Sequence, residues 1–459
     1  MHPDDFDTIF NFPSLVAAYE TQIAPRGGRG IDRIGISAFN QQRDQQLHIA
    51  ERKCVSGAYR FAPYQEKLIA RGPKRPPRQI SVPTLRDRCV LQRLKIRLSQ
   101  AFPECIERRL PNEFIRSIKQ FAATNDLSTL SIIRTDIATF YERIRHDLIL
   151  DKLNGGGLCP RTTELVKRAI RNPTVAASGL RSARRQANKI GIPQGLAISN
   201  LLASIYLKSF DREMISEARI YLRYVDDILV VVPTTELVRL HDRLQHLLAE
   251  LGLNCNEAKT TVASASMRFD YLGYSLSLPR IGIRAAAVDR FLQSLAARFT
   301  RYRYSSNEKR YPKWLTIDER RKIFINEVNE KITGAISETR RYGWIFYFLE
   351  LNELTALHTM DEAIKRMFLR LPDFSGISLQ GLKKLSRAYF EAKYSPTSGY
   401  IHNYNAIQTI ADKVEFLIGR GVVNPADSAT MSTDLIEDLF TRDKIKRLTE
   451  LEMDVGFLY

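Results

Sequence analysis

Three aspartates carry the chemistry this sequence offers. Asp226 and Asp227 sit side by side in the stretch YLRYVDDILVVV, Tyr221 to Val232. Upstream lies the β-prone run Ile220, Tyr221, Leu222, and downstream the apolar run Ile228 to Val232, which Pro233 ends. The pattern predicts a hairpin with two adjacent carboxylates at or beside its turn. Two like charges there are costly unless a cation pairs with them, and divalent metals are the usual partners of carboxylate oxygens. Taken alone, the pair reads as a solvated Asp-Asp turn. Asp136 changes the reading. It follows Leu130-Ser131-Ile132-Ile133, with Arg134 and Thr135 between, and precedes Ile137-Ala138-Thr139-Phe140-Tyr141. A strand ending in Asp and facing a hairpin that bears Asp-Asp can hold two cations about 4 Å apart, a pair that activates an attacking hydroxyl and stabilises a leaving pyrophosphate.

Those aspartates lie in motifs that resemble the palm of a reverse transcriptase. DIATFY, from Asp136, is similar to its first catalytic motif, and YVDD, from Tyr224, to its third. A viral RNA-templated RNA polymerase more often has Gly before the two Asp, so Tyr224-Val225 favours the reverse transcriptase. The resemblance extends in order along the chain, over about residues 26 to 370. Gly30-Ile31-Asp32 resembles the opening motif of group II intron and retron-like enzymes, although a Gly-rich loop alone says little about phosphate binding. Residues 78 to 88, ordered R-x-I-x-V-P-T-x-x-D-R, resemble the fingers hairpin that carries a Lys and an Arg to the incoming triphosphate. The resemblance gives these roles to Arg78 and to Lys74 or Arg75; the planar guanidinium fork suits phosphate. A solvated basic hairpin is the plainer alternative.

Further on, Pro193-Gln194-Gly195 resembles the motif whose backbone approaches a base pair, with Gln194 bonding template or nucleotide. Intron enzymes carry S-P after that turn; here Ser199-Asn200 stands after Leu196, which pulls the likeness toward abortive-infection and defence-associated bacterial enzymes. Lys259, in LNCNEAKT, matches the Lys placed near the leaving pyrophosphate. Leu272-Gly273, in FDYLGY, matches the primer grip, and RRYGWIFY from Arg340 to Tyr347 resembles a Gly-Trp helix of the thumb. Tyr141 stands where the family places an aromatic beneath the incoming sugar, with Phe140 as the alternative, since neighbouring residues leave a strand on opposite faces.

Composition agrees with a polyanionic partner. The chain has 459 residues, 44% apolar, with 69 Lys plus Arg against 51 Asp plus Glu, a net charge of +18 and pI near 9.7. Arg168, Arg181, Arg184 and Arg185 belong to a basic stretch, Arg161 to Lys189, with Glu164 as its one acid. It reads as facing a nucleic-acid backbone, as do Arg340, Arg341 and Trp344, where basic and aromatic residues interleave on expected helices. Five cysteines without C-x-x-C spacing and seven scattered histidines argue against a disulfide framework or zinc site. No apolar run approaches a membrane span and no signal-peptide pattern opens the chain, so the expected compartment is the cytoplasm, without a membrane.

The implied fold is α+β, a right-hand polymerase of fingers, palm and thumb with a helical C-terminal extension. The expected segments are 1–128, N-terminal segment and fingers; 129–275, palm with a fingers insertion at about 155–190; 276–375, helical thumb; and 376–459, helical extension. The implied activity is RNA-directed DNA synthesis using two Mg2+ ions, with Mn2+ as a substitute. Asp136 and Asp226 would ligate both metals with Asp227 in support, catalysis being mostly positioning and charge stabilisation. The partners are an RNA template, expected to be a structured non-coding RNA, a DNA or RNA primer, the RNA–DNA duplex and dNTPs; an oligomer stays open. No His/Cys-rich nuclease cluster or ribonuclease H pattern follows the thumb, which favours a stand-alone polymerase over a self-sufficient mobile element, and the resemblance to the defence-associated enzymes implies antiphage activity. The alternatives are an intron-type reverse transcriptase and maturase and, from another class, a non-catalytic RNA-binding scaffold, against which three clustered acids argue.

Overall fold

Two largely apolar strands form the middle of the four-stranded sheet in the first of the chain's two units. In a computed structural model of the chain, which describes residues 5–70, 76–178, 186–304, 311–312 and 314–456, Leu130–Asp136 (β3) pairs antiparallel with Asp227–Pro233 (β6), Asp136 directly opposite Asp227. The fold mixes helices and sheets, as expected. It divides into two compact units: Met1–Arg108 with Thr129–Ser264, and Arg109–Ser128 with Ala265–Tyr459. The division differs from the four expected segments. Residues 109–128 group with the C-terminal half, and the expected thumb and extension form one unit.

In the first unit, Tyr64–Ile69 (β1), Arg78–Val82 (β2) and Thr174–Val175 (β4) form a three-stranded sheet in the order β2-β1-β4. The expected insertion is thus woven into the fingers: Tyr64 donates from its hydroxyl to the Ala169 carbonyl at 3.0 Å. The second sheet has the order β5-β6-β3-β7, with Ile220–Tyr224 (β5) and Thr261–Ser264 (β7). Cross-strand partners share a face. Ile133, Val230, Ile228 and Val232 join the apolar core with Leu202, Ile205 and Phe210 of the Ser199–Glu217 helix. Asp136, Arg134 and Asp227 therefore take the other face. The chain leaving β3 turns helical in two pieces. Phe140–Arg143 makes one turn, Ile144 and Arg145 are extended, and His146–Gly155 resumes. The RGGRGID loop packs on protein: a Cβ on Gly30 would lie 2.7 Å from Thr84 Cα, and Arg88 donates to the Gly27 carbonyl.

The second unit holds Phe269–Tyr271 (β8), Tyr274–Ser277 (β9) and Arg280–Ile283 (β10) in one meander. Ala335–Ser337 (β11), Arg340–Tyr342 (β12) and His402–Asn403 (β13) form another sheet, ordered β12-β11-β13. Arg340 and Arg341 are thus on a strand, not on the expected helix. Strand β13 of the expected extension pairs with β11 of the expected thumb, one reason the two segments do not separate. The helices Ala285–Arg303, Ile317–Thr333, Thr355–Leu369, Leu385–Tyr394, Ile410–Gly419 and Thr433–Gly456 make up most of the rest.

Candidate active site

The sheet register brings the three expected carboxylates to one end of β3 and β6. Asp136 ends β3, Asp227 begins β6, and Asp226 lies in the two-residue turn between β5 and β6. The Ile137 amide donates to the Asp226 carbonyl at 3.0 Å, fixing that turn against the chain leaving β3. Each flanking carboxylate has its own cation. Lys259 Nζ donates to Asp136 Oδ2 at 2.5 Å, and Asn256 Nδ2 reaches the same oxygen at 3.3 Å. Arg134 Nη2 donates to Asp227 Oδ2 at 3.3 Å. Burial, then the charge of Asp136, pushes the Asp226 carboxyl up to about 7. Burial also raises Asp227, against the opposing pull of Arg134.

The turn is backbone-strained. Val225 has φ 59°, in the left-handed region where a β-branched residue is rare. What holds it was not legible from the motifs. Arg223 Nη1 donates to the Val225 carbonyl at 2.8 Å, while its Nε and Nη2 grip Asp211 at 2.7 and 2.5 Å. The Tyr221 hydroxyl completes the set by donating to Asp211 at 2.5 Å. Strand alternation puts Tyr221 and Arg223 on the helix-covered face, opposite the acids, so this clamp grips the hairpin from behind. Only the i, i+2 spacing of Tyr221 and Arg223 hinted at it.

Tyr141 stands beside the carboxylates, close enough to feel the charge of Asp226, and the Gln194 side chain bonds its neighbour Glu142. The Tyr141 hydroxyl donates to Asn200 Oδ1 at 2.8 Å, and its ionisation is pushed up first by burial and then by Asp226, with Arg78 opposing. Tyr141 is half-buried whereas Phe140 is 3% exposed and in the core, so Phe140 does not reach a nucleotide. Both rings belong to one helical turn, so the strand alternation expected there is absent. The loop of Gln194 is stitched to both sides. The Ile192 amide donates to the Tyr141 carbonyl at 2.7 Å, the Ser81 amide to the Gln194 carbonyl at 2.7 Å, and Gln194 Nε2 to Glu142 at 3.0 Å. Gly195 has φ 101° and a Cβ there would lie 2.7 Å from Ile80 Cγ2, so only glycine fits against β2.

Other expected residues fall elsewhere. Lys74, Arg181, Arg184 and Arg185 lie outside the described residues. Arg168 ties the fold together: its Nε pairs with Glu164 at 2.9 Å and its Nη1 donates to the Gly57 and Tyr59 carbonyls at 2.5 and 3.1 Å, so these two nitrogens face protein. Trp344 is 1% exposed and packed 4.7 Å from the Phe291 ring, so it is core and cannot stack on a base. Arg340 and Arg341 are exposed on β12. In the second unit, Leu272 and Gly273 do form a tight turn, between β8 and β9, with φ 46° and 79°.

The donors here are hard oxygens, and Asp227 Oδ1 is buried with no hydrogen-bond partner among the described residues. An unpaired buried carboxylate oxygen, beside an Asp raised by burial and then by the charge of Asp136, suits a divalent cation. Among the described residues no three His, Cys, Asp or Glu side chains already converge as a metal cage, because Asp136 and Asp227 turn to Lys259 and Arg134. No described helix is long and apolar enough to cross a membrane.

Comparison with known proteins adds to this geometry. Residues 71–276 match the family model of the reverse transcriptase (RNA-dependent DNA polymerase). Protein YkfC of Escherichia coli strain K12 is 22% identical over 311 residues, 57% of this chain and 80% of that protein. Among solved structures, telomerase from Candida albicans in complex with a TWJ fragment of telomeric RNA is 13% identical, over 88% of this chain and 69% of that one, with TM-score 0.46. Apo telomerase from Candida tropicalis is 14% identical, over 90% and 76%, with TM-score 0.43. Both scores are too low to bear on function.

Proposed function

We propose that residues 71–276, which match the reverse transcriptase (RNA-dependent DNA polymerase) family, act as an RNA-directed DNA polymerase whose catalytic centre is Asp136, Asp226 and Asp227. The observation that carries this is the register: Asp136 stands directly opposite Asp227, with Asp226 in the adjoining turn. The three carboxylates would hold two Mg2+ ions, or Mn2+, which when bound lower the cost of deprotonating a primer 3′ hydroxyl and offset the charge of departing pyrophosphate. The chain's own residues supply the rest. Lys259 moves from Asp136 to the triphosphate, and Arg78 and Lys74 grip its oxygens. Tyr141, fixed by Asn200, fills the space a 2′-hydroxyl needs, so dNTPs are preferred. Gln194 faces the template or nucleotide. In the second unit, the Leu272-Gly273 turn grips the primer and Arg340 and Arg341 contact duplex phosphates.

The biological setting we propose is antiphage defence in the cytoplasm, with synthesis on a structured companion RNA. Its support is the sequence after the P-Q-G turn, Leu196 and Ser199-Asn200, where intron-type enzymes carry S-P. The chemistry is tested by extending a DNA primer on an RNA template with purified protein. Templated, EDTA-sensitive incorporation of dNTPs is expected; failure to extend on any primer–template at any divalent metal concentration would refute the assignment.

A further inference from the structure

The Leu385–Tyr394 helix shows two different faces. Its inner face is anchored. Leu385, Ala388 and Ala392 are completely buried, and the Tyr389 hydroxyl donates to the Leu351 carbonyl at 2.5 Å. Its first turn is capped from outside: the Leu385 amide donates to Asp361 Oδ1 at 2.6 Å, and the Ser386 hydroxyl to Asp361 Oδ2 at 2.6 Å. The helix is therefore held in place, and its outer face is presented as a fixed surface.

That outer face carries aromatic rings and cations together. Phe390 is 49% and Tyr394 69% exposed, at i and i+4, with ring planes 20° apart and centroids 6.5 Å apart. Arg387 lies 4.5 Å over the Tyr400 ring, and Lys393 lies 5.6 Å from the Tyr394 ring while its ammonium donates to the Tyr389 hydroxyl at 2.6 Å. Lys384 is exposed at the helix start. From Lys383 to Tyr400 there are four Lys or Arg and one acid, Glu391, itself engaged by Arg387 at 3.2 Å and Ser398 at 2.6 Å. Exposed rings are costly in water unless something covers them. Every base offers a face for an aromatic ring, and the surrounding cations suit its phosphates.

We infer that this face is a stacking platform for an unpaired nucleic-acid strand, a role for the helical extension that neither the catalytic centre nor the family match supplies. The partner class rests on the polymerase reading, because a chain working on RNA has single strand to hold outside its duplex. Phe390 and Tyr394 stack bases, while Arg387 and Lys384 line the backbone. A duplex would gain little, since its bases are already stacked on one another.

Fluorescence anisotropy of the full chain with a fluorescein-labelled 12-nucleotide oligo(U), the matching oligo(dT) and an RNA–DNA hybrid tests this. Phe390→Ala/Tyr394→Ala should weaken oligo(U) binding by roughly tenfold or more, with hybrid affinity and melting temperature unchanged, because both rings are exposed. An equal loss for oligo(dT) supports a sugar-blind platform, and a loss for oligo(U) alone an RNA platform. Crosslinks from 4-thiouridine RNA should map to the peptide containing Phe390 and Tyr394. Unchanged oligo(U) affinity with crosslinks elsewhere, an equal loss for the hybrid, or loss of binding to phosphatidylserine vesicles instead would each overturn it. Extension of a pre-annealed short primer–template should be unaffected in the same variant. Failure of the platform is thus separate from failure of the polymerase reading, which the wild-type extension assay reports.

Discussion

Two hairpins in this chain use the same backbone device for opposite ends. Tyr224-Val225-Asp226-Asp227 and Tyr271-Leu272-Gly273-Tyr274 are both two-residue turns, and each puts a branched apolar residue at positive φ, Val225 at 59° and Leu272 at 46°. In the first, the turn is gripped from the helix side by Arg223, and what it displays is charge, with one buried carboxylate oxygen unsatisfied. In the second, Leu272 is 2% exposed, its carbonyl accepts from the Tyr347 hydroxyl at 2.8 Å, and the Gly273 carbonyl accepts from the Arg284 amide at 3.0 Å. Both carbonyls of that turn are satisfied. The lesson is that strain alone does not mark chemistry: a strained turn with unmet polar demand awaits a ligand, and a strained turn with its polar groups met holds a shape.

Variants can break this contrast. The largest effect is expected at Asp226. Asp226→Asn should cut dNTP incorporation by roughly a thousandfold or more, while the melting temperature holds or rises, because a buried like-charge repulsion is removed. Primer extension beside a thermal melt checks both, and a folded Asp226→Asn chain with substantial synthesis would refute the centre. Next is Tyr141→Ala, which should lower the dNTP-over-rNTP preference by about tenfold or more while dNTP incorporation persists, since the lost contact is steric. Paired single-nucleotide extensions read that ratio; an unchanged ratio removes the sugar-gate role.

Smaller effects separate the two turns themselves. Arg223→Lys keeps the charge facing Asp211 but loses the fork that also reaches the Val225 carbonyl. It should lower kcat by about tenfold with little change in KM for dNTP, and Arg223→Met should be worse on stability as well, having left Asp211 unpaired. A Lys variant equal to wild type in kcat would mean the clamp does not position the acids. In the second turn, Tyr347→Phe removes one hydrogen bond to a buried carbonyl, worth about 1 kcal/mol, and should lower melting by about 2–4 °C. Turnover at saturating primer should be unchanged. A large fall in kcat there would erase the distinction between the hairpins.

What the sequence could reveal depended on range. The β5–β6 hairpin and the strand ending in Asp136 were legible because short apolar runs and Pro233 are local signals, and their opposition followed from register. Lys259 was found at the site, but its contact with Asp136 requires residues 123 apart to meet. The Arg223–Asp211 clamp joins a strand to a helix and leaves no motif. The interleaved Arg and aromatics of 340–347 read as a nucleic-acid helix, yet a hairpin turning at Glu338, φ 54°, puts the arginines on a strand and Trp344 in the core. Arg168 read as a phosphate ligand because its carbonyl partners lie 109 and 111 residues away. Charge in a sequence shows where cations are, not which acceptors they have already met.

The account's central claim is that Asp136, Asp226 and Asp227 gather divalent cations when substrate is present. Mn2+ binding, followed by electron paramagnetic resonance with an RNA template, a chain-terminated DNA primer and the complementary dNTP, tests it most directly. Wild-type protein should bind two ions per chain at the site, and Asp226→Asn should lose at least one or bind about tenfold more weakly. Equal Mn2+ stoichiometry and affinity in the two proteins would contradict the claim.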